Sequence, residues 1–175
     1  MAPTSNQLAE FDESLWYHVG VLVSQSKLYL QGGEVMAGSV QYAAADALFE
    51  MLLVRLRAFD SFFGSAVGQP DDALAVHFVA GWSPSHFLTT DERTNINKRL
   101  AHLTYSQPHT HEWAVGKMIR RCLETIRDFL QAIGNGLSER WTERRDEVIA
   151  FLDGDFQSQT LDSIWTETDK HAHRR

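Results

Sequence analysis

Hydrophobic residues recur along this chain at steps of three and four, a spacing that predicts helices and leaves no segment with the alternation of a strand. Leu8, Phe11, Leu15, Val19, Leu22 and Val23 define a first helix from near Gln7 to about Tyr29, which Gly32-Gly33 should end. A second is expected from Ser39 to Phe63. Its stripe of Ala45, Leu48, Leu52, Leu56, Phe59 and Phe63 is widened by Phe49, Met51, Leu53 and Phe62 until most of its surface is apolar. A helix apolar nearly all round is expected to be central and buried.

From Ser65 to Leu88 the chain reads as a long connection: a short helical turn after Asp71-Asp72, then a loop packed through Leu74, Phe78, Val79 and Trp82. Loops of this length inside a compact domain often carry function. Thr89-Thr90-Asp91-Glu92 has the pattern of a capping box and opens a third helix, running to about Tyr105. Pro108 separates it from a fourth, the most regular of all, whose apolar positions run from Trp113 to Ile133. Gly134-Asn135-Gly136 should stop that helix, and a fifth is expected from Ser138 to Leu152. Short connections between helices favour antiparallel neighbours. The expected fold is therefore all-α, an antiparallel bundle of four to five helices in one domain over residues 1–152, with a polar tail over 153–175.

The chain has 175 residues, of which 43% are hydrophobic, enough to build a core without metal or disulfide staples. Cys122 is the lone cysteine, so an internal disulfide is excluded. With no basic-then-apolar leader and no long apolar run, a soluble protein of the reducing cytoplasm, with no membrane partner, is the expectation. A formal net charge of −7 argues against a general nucleic-acid coat protein but leaves room for a local basic site.

The candidate chemistry centres on the third helix. On a helical wheel Ile96, Leu100 and Leu103 fall together and face the core, whereas Asn95, Lys98 and His102 share a flank turned away from it. Lys98 and His102 are four apart and within reach of each other, and Arg99 is close by. A histidine beside fixed cations holds or passes a proton near neutral pH. Cations placed there bind phosphate and stabilise charge in phosphodiester cleavage. The plainer alternative is a solvated helix face that contains a histidine. Arg55 and Arg57 lie on the apolar second helix and need partners there. Arg57 either pairs with Glu50 or Asp60 or reaches the His102 flank from the neighbouring helix.

The segment Asn97-Lys98-Arg99-Leu100-Ala101-His102-Leu103-Thr104 resembles the K-x-x-A-H signature of helical proteins of the HEPN superfamily. Phe49 to Phe62, with Arg55, Arg57 and Phe59, is similar to their central helix. Pro70 to Phe78 resembles linkers of uncharacterised bacterial members, and the resemblance spans about residues 10 to 133. It implies an RNA partner and a homodimer. Many members are metal-independent endoribonucleases of toxin–antitoxin and anti-phage systems; others are non-catalytic RNA-binding or interaction modules, which would take a protein partner or antitoxin. Catalysis in the family uses an arginine four to six residues before a histidine, at the dimer interface. Here Asn97 and Lys98 stand where that arginine is expected, and Arg93 falls on the other side of the wheel. The resemblance thus implies His102 as the acid–base residue, with Lys98 and Asn97 beside it and Arg99 and Arg57 binding substrate.

His109 and His111, with His102, raise a metal-binding bundle as a further alternative, though His-x-His in a loop does not align both rings on one helix face and no His-Glu-x-x-His is present. No glycine-rich phosphate loop, nucleophile elbow or paired-cysteine zinc pattern occurs, so no cofactor is expected.

Overall fold

A computed structural model describes residues 4–31, 38–69, 71–101, 113–133, 145–146 and 149–150. Four α-helices carry it: α1 (Ser5–Gln31), α2 (Val40–Gly64), α3 (Thr90–Ala101) and α4 (Val115–Ile133), with a 3-10 turn at Ala75–His77. Among the described residues there is no strand, as the periodicity predicts. Residues 145, 146, 149 and 150 of the expected fifth helix are helical, and Ile149 packs against the core. Both glycine stops and the tail lie outside the described residues.

The direction of each helix follows from its ring and side-chain contacts. Phe11 meets Phe62, and Tyr29 meets Phe49, so α1 runs antiparallel to α2. Arg93 approaches Asp60 while Arg99 approaches Asp46, so α3 is antiparallel to α2 as well. Trp113 packs on Phe49 and Phe129 on Phe62, so α4 runs alongside α2 in the same sense. The described helices therefore form an antiparallel bundle in which α2 touches each of the others.

The core is aromatic at the end of α2 where the long connection returns. Phe62 and Phe63 sit edge to face at 4.9 Å, and Phe129 of α4 meets them at 5.3 and 5.4 Å. Trp82, from the connection, lies 5.5 Å from Phe129, and its indole N–H donates to the Phe63 carbonyl at 3.0 Å. That bond satisfies a carbonyl at the helix end that has no partner further along α2. Each such ring pair contributes about 0.5–1.5 kcal/mol beyond the area it buries. The connection is thus fixed to the bundle, as its apolar cluster predicts.

Local signals explain the helix starts. Ser39 caps α2, its hydroxyl accepting from the Tyr42 N–H at 3.0 Å. At α3 the capping box closes in both directions: Thr89 N–H donates to Glu92 Oε2 at 2.7 Å, and Glu92 N–H to Thr89 Oγ1 at 3.2 Å. Asp91 and Glu92 in the first turn and Lys98 and Arg99 in the last complement the helix dipole.

Two expectations need correction. Trp113 is buried but precedes α4, which begins at Val115. More consequentially, α2 is central but not covered all round: Met51 and Val54 are 53% and 54% exposed. The helices that pack on α2 cover one side of it and leave the opposite side bare.

No helix among the described residues is long and apolar enough to cross a membrane.

Candidate functional site

Asp60 is fully buried in the second helix, otherwise apolar on that side. An ionised carboxylate there is costly unless paired. It gathers partners from three elements. His86, in the connection, places Nδ1 at 2.8 Å from Asp60 Oδ2 and 3.2 Å from the Asp60 carbonyl. Leu88 N–H donates to Oδ1 at 2.9 Å. Arg57, one turn earlier on α2, and Arg93, on α3, approach Oδ2 at 3.9 and 3.8 Å.

Both oxygens facing His86 Nδ1 accept and neither can donate to it. Nδ1 therefore carries the proton, and Nε2 is the nitrogen left to meet solvent or a ligand. Gly64 makes room for the ring: a Cβ added there would fall deep inside contact distance of the imidazole.

Arg57 extends this cluster towards the motif-bearing helix. One Nη donates to Ser61 Oγ, and Nε donates to Asn97 Oδ1 at 3.3 Å. Asn97 itself is exposed on α3. Two of the residues singled out in the sequence, Arg57 and Asn97, are therefore brought together. Lys98, one residue on, is half-buried on the adjoining flank.

Arg99 is placed differently. It turns into the groove between α3 and α2, where Asp46 and Glu50 take it at 3.4 and 3.3 Å and its guanidinium lies 5.1 Å over the Phe49 ring. Its charge is balanced within the bundle. His102, His109 and His111 lie outside the described residues. Among the described residues no group of three His, Cys, Asp or Glu side chains is placed to hold a metal.

A second histidine contact lies across α2, on its α1 side. Arg55 donates to Gln25 Oε1 at 3.1 Å and meets His18 Nδ1 at 2.6 Å. Loss of hydration, and then the Arg55 charge, lower the His18 pKa below 6.5 and favour the neutral ring that accepts this bond. Cys122 on α4 is fully buried; burial first, and the Asp60 charge second, push its thiol well above the usual range. It is a core thiol rather than a nucleophile.

The His86–Asp60–Arg93 convergence was not visible from helical spacing, because His86 is in an irregular segment far along the chain. The available signal was Asp60 itself, a carboxylate among Phe59, Phe62 and Phe63 that has to find cations. Comparison of the chain with protein-family models, with curated proteins and with solved structures finds no match.

Proposed function

We propose that this chain is an HEPN-like protein acting on RNA at the edge where α2 meets α3, with His102 as the acid–base residue and Lys98, Asn97 and Arg57 around the scissile phosphate. The observation that supports the reading is the Arg57–Asn97 contact at 3.3 Å. Asn97 stands five residues before His102, where catalytic members of the superfamily carry arginine. Here the neighbouring helix supplies a guanidinium to that position. Arginine presents a planar fork to a phosphate, and lysine at the same place does not.

The locality is cationic despite the acidic chain. Arg57 and Arg93 lie around one buried carboxylate, and Lys98 is half-buried further along α3. Fixed cations beside a bound phosphodiester stabilise the charge that builds as the bond breaks. Metal-independent cleavage then needs a group that takes the 2′-hydroxyl proton and returns one to the leaving oxygen, the part assigned to His102.

The test is cleavage of single-stranded RNA in the presence of a chelator. His102→Ala should abolish turnover with unchanged helicity. Arg57→Lys should reduce it by about 10²-fold, the usual cost of losing one oriented donor. Lys98→Ala should weaken RNA binding and lower its salt dependence by about one counterion. Turnover that survives His102→Ala refutes the reading.

A second reading, a non-catalytic interaction module of the same fold, has its own support. Arg99 is balanced by Asp46 and Glu50, and Arg57 is partly taken by Asp60. Tight RNA or protein binding without turnover would favour it.

A further inference from the structure

His86 is held more firmly than a histidine that only fills a gap. Its Nδ1–H donates to Asp60 Oδ2 at 2.8 Å, and Leu88 N–H fixes the other carboxylate oxygen at 2.9 Å. Gly64 backs the ring so closely that a side chain there would collide with it. The tautomer and the direction of the ring are thus set by the fold. Charge balance does not account for the ring, because Arg57 and Arg93 already bring two positive charges to one carboxylate. What the ring adds is Nε2, which in the neutral tautomer carries a bare lone pair. Among the described residues Nε2 has no hydrogen-bond partner, and the side chain is 36% exposed. A buried carboxylate that orients a histidine, with the far nitrogen left open, is the arrangement of a general base.

We propose that His86 is a second catalytic residue, the general base, with Asp60 as its positioning residue. The assignment rests on the RNA reading for its substrate, a ribose 2′-hydroxyl beside a phosphodiester, but not for the part given to His102. In the step, the 2′-oxygen attacks phosphorus and its proton passes to His86 Nε2. The bond from phosphorus to the 5′-oxygen breaks, and that oxygen keeps the electron pair and takes a proton from the acid, the half of the work left to His102. The products are a 2′,3′-cyclic phosphate and a 5′-hydroxyl. The ring then carries a positive charge, which the Asp60 carboxylate beside Nδ1 offsets until the proton is lost to solvent.

Geometry favours two proton carriers over one. The attacking and leaving oxygens of an in-line displacement lie on opposite sides of phosphorus, so a single ring serves both only by moving between them. His86 and the motif-bearing helix belong to different elements. Arg57 joins them, approaching Asp60 on one side and donating to Asn97 on the other. The guanidiniums also keep capacity for the phosphate. Arg57 and Arg93 stand 3.9 and 3.8 Å from Asp60 Oδ2, beyond hydrogen-bond distance, and Arg57 Nη2 has no partner among the described residues. A phosphate oxygen entering there supplies the negative charge that one carboxylate facing two guanidiniums lacks.

The experiment joins nitrogen NMR of the histidine rings to cleavage of single-stranded RNA across a range of pH, on the full chain with a chelator present. The neutral His86 ring should carry its proton on Nδ1; a ring protonated on Nε2 instead overturns the proposal whatever the RNA result. His86→Asn keeps an N–H donor for Asp60 and puts nothing in the place of Nε2. It should retain wild-type helicity and melting temperature, cleave about 10²–10⁴-fold more slowly, and lose the rise of rate with pH on the acid side of the profile. Loss of a merely structural histidine would leave the shape of that profile unchanged. Should His86→Asn melt below the wild type, His86→Ala decides: turnover restored by added imidazole supports the base, and a folded variant that imidazole does not restore overturns it. His86→Asn that cleaves like the wild type while His102→Ala is inactive overturns the base and leaves the RNA reading standing. His102→Ala that still cleaves while His86→Asn does not refutes the role of His102 and keeps the base. A wild type that cleaves no RNA overturns both.

Discussion

α2 and α4 run in the same direction through the bundle, and both are rich in apolar residues, yet they are finished differently. α4 buries one face completely, from Val115 through Met118, Cys122, Ile126 and Phe129 to Ile133, and presents Lys117, Arg120, Glu124 and Asp128 on the other. Every large apolar side chain on α4 is buried within the chain. α2 buries Phe49, Leu52, Leu56, Phe59 and Phe63 on one side, holds the buried Asp60 among them, and still leaves Met51 and Val54 in solvent. The contrast separates two placements of apolar sequence: one is buried and stabilises the chain, and the other stands in solvent.

The largest test of that contrast is the charge that α2 buries and α4 does not. Asp60→Ala removes the partner of His86, Arg57 and Arg93 and leaves the Leu88 N–H without its acceptor. Loss of roughly 3–5 kcal/mol of unfolding free energy is expected, read from denaturant titration. A loss under about 1 kcal/mol would mean that the cluster does not hold α3 and the connection to α2.

A matched pair of methionines gives the next. Met118 on α4 is fully buried, whereas Met51 on α2 is 53% exposed. Met118→Ala should cost about 2–5 kcal/mol in dilute protein. Met51→Ala should change the stability of the single chain by less than about 0.5 kcal/mol. Equal effects for the two would dissolve the distinction between the helices.

Smaller still is the pH response on the α1 side of α2. The pKa of His18 in the folded chain lies below its unfolded value of 6.5, so the unfolded chain takes up the proton first. Stability is therefore full above that value and falls as pH drops through and below it. His18→Gln should flatten this part of the profile of denaturation midpoint against pH, and a profile identical to wild type would show that the Arg55 contact does not form in solution.

The helices were legible because their apolar residues recur at steps of three and four. Expected bounds of Gln7–Tyr29 and Ser39–Phe63 became Ser5–Gln31 and Val40–Gly64. Thr89 and Glu92 announced the start of α3 because their capping bonds are local. The bareness of Met51 was not legible. An apolar residue has the same pattern in sequence whether the helix that covers it belongs to this chain or to another. The site divided along similar lines. Arg57 was readable as a charge in need of partners, and Asp60 is one of them. That Asn97 is another, and that His86 and Arg93 join Asp60, depends on how the connection folds back, which no local pattern encodes.

The Asp60 cluster has a consequence for the order of assembly. All its members fall between Arg57 and Arg93, so it closes using α2, the connection and α3 alone. Among the described residues, its hydrogen bonds and ion pairs come from neither α1 nor α4, although the Asp60 charge reaches Cys122 of α4. Closing a loop of that length costs only slightly more entropy than closing one half as long. This stretch is thus equipped to hold together as one cooperative unit, opening and closing together, onto which the first and fourth helices dock through their aromatic rings.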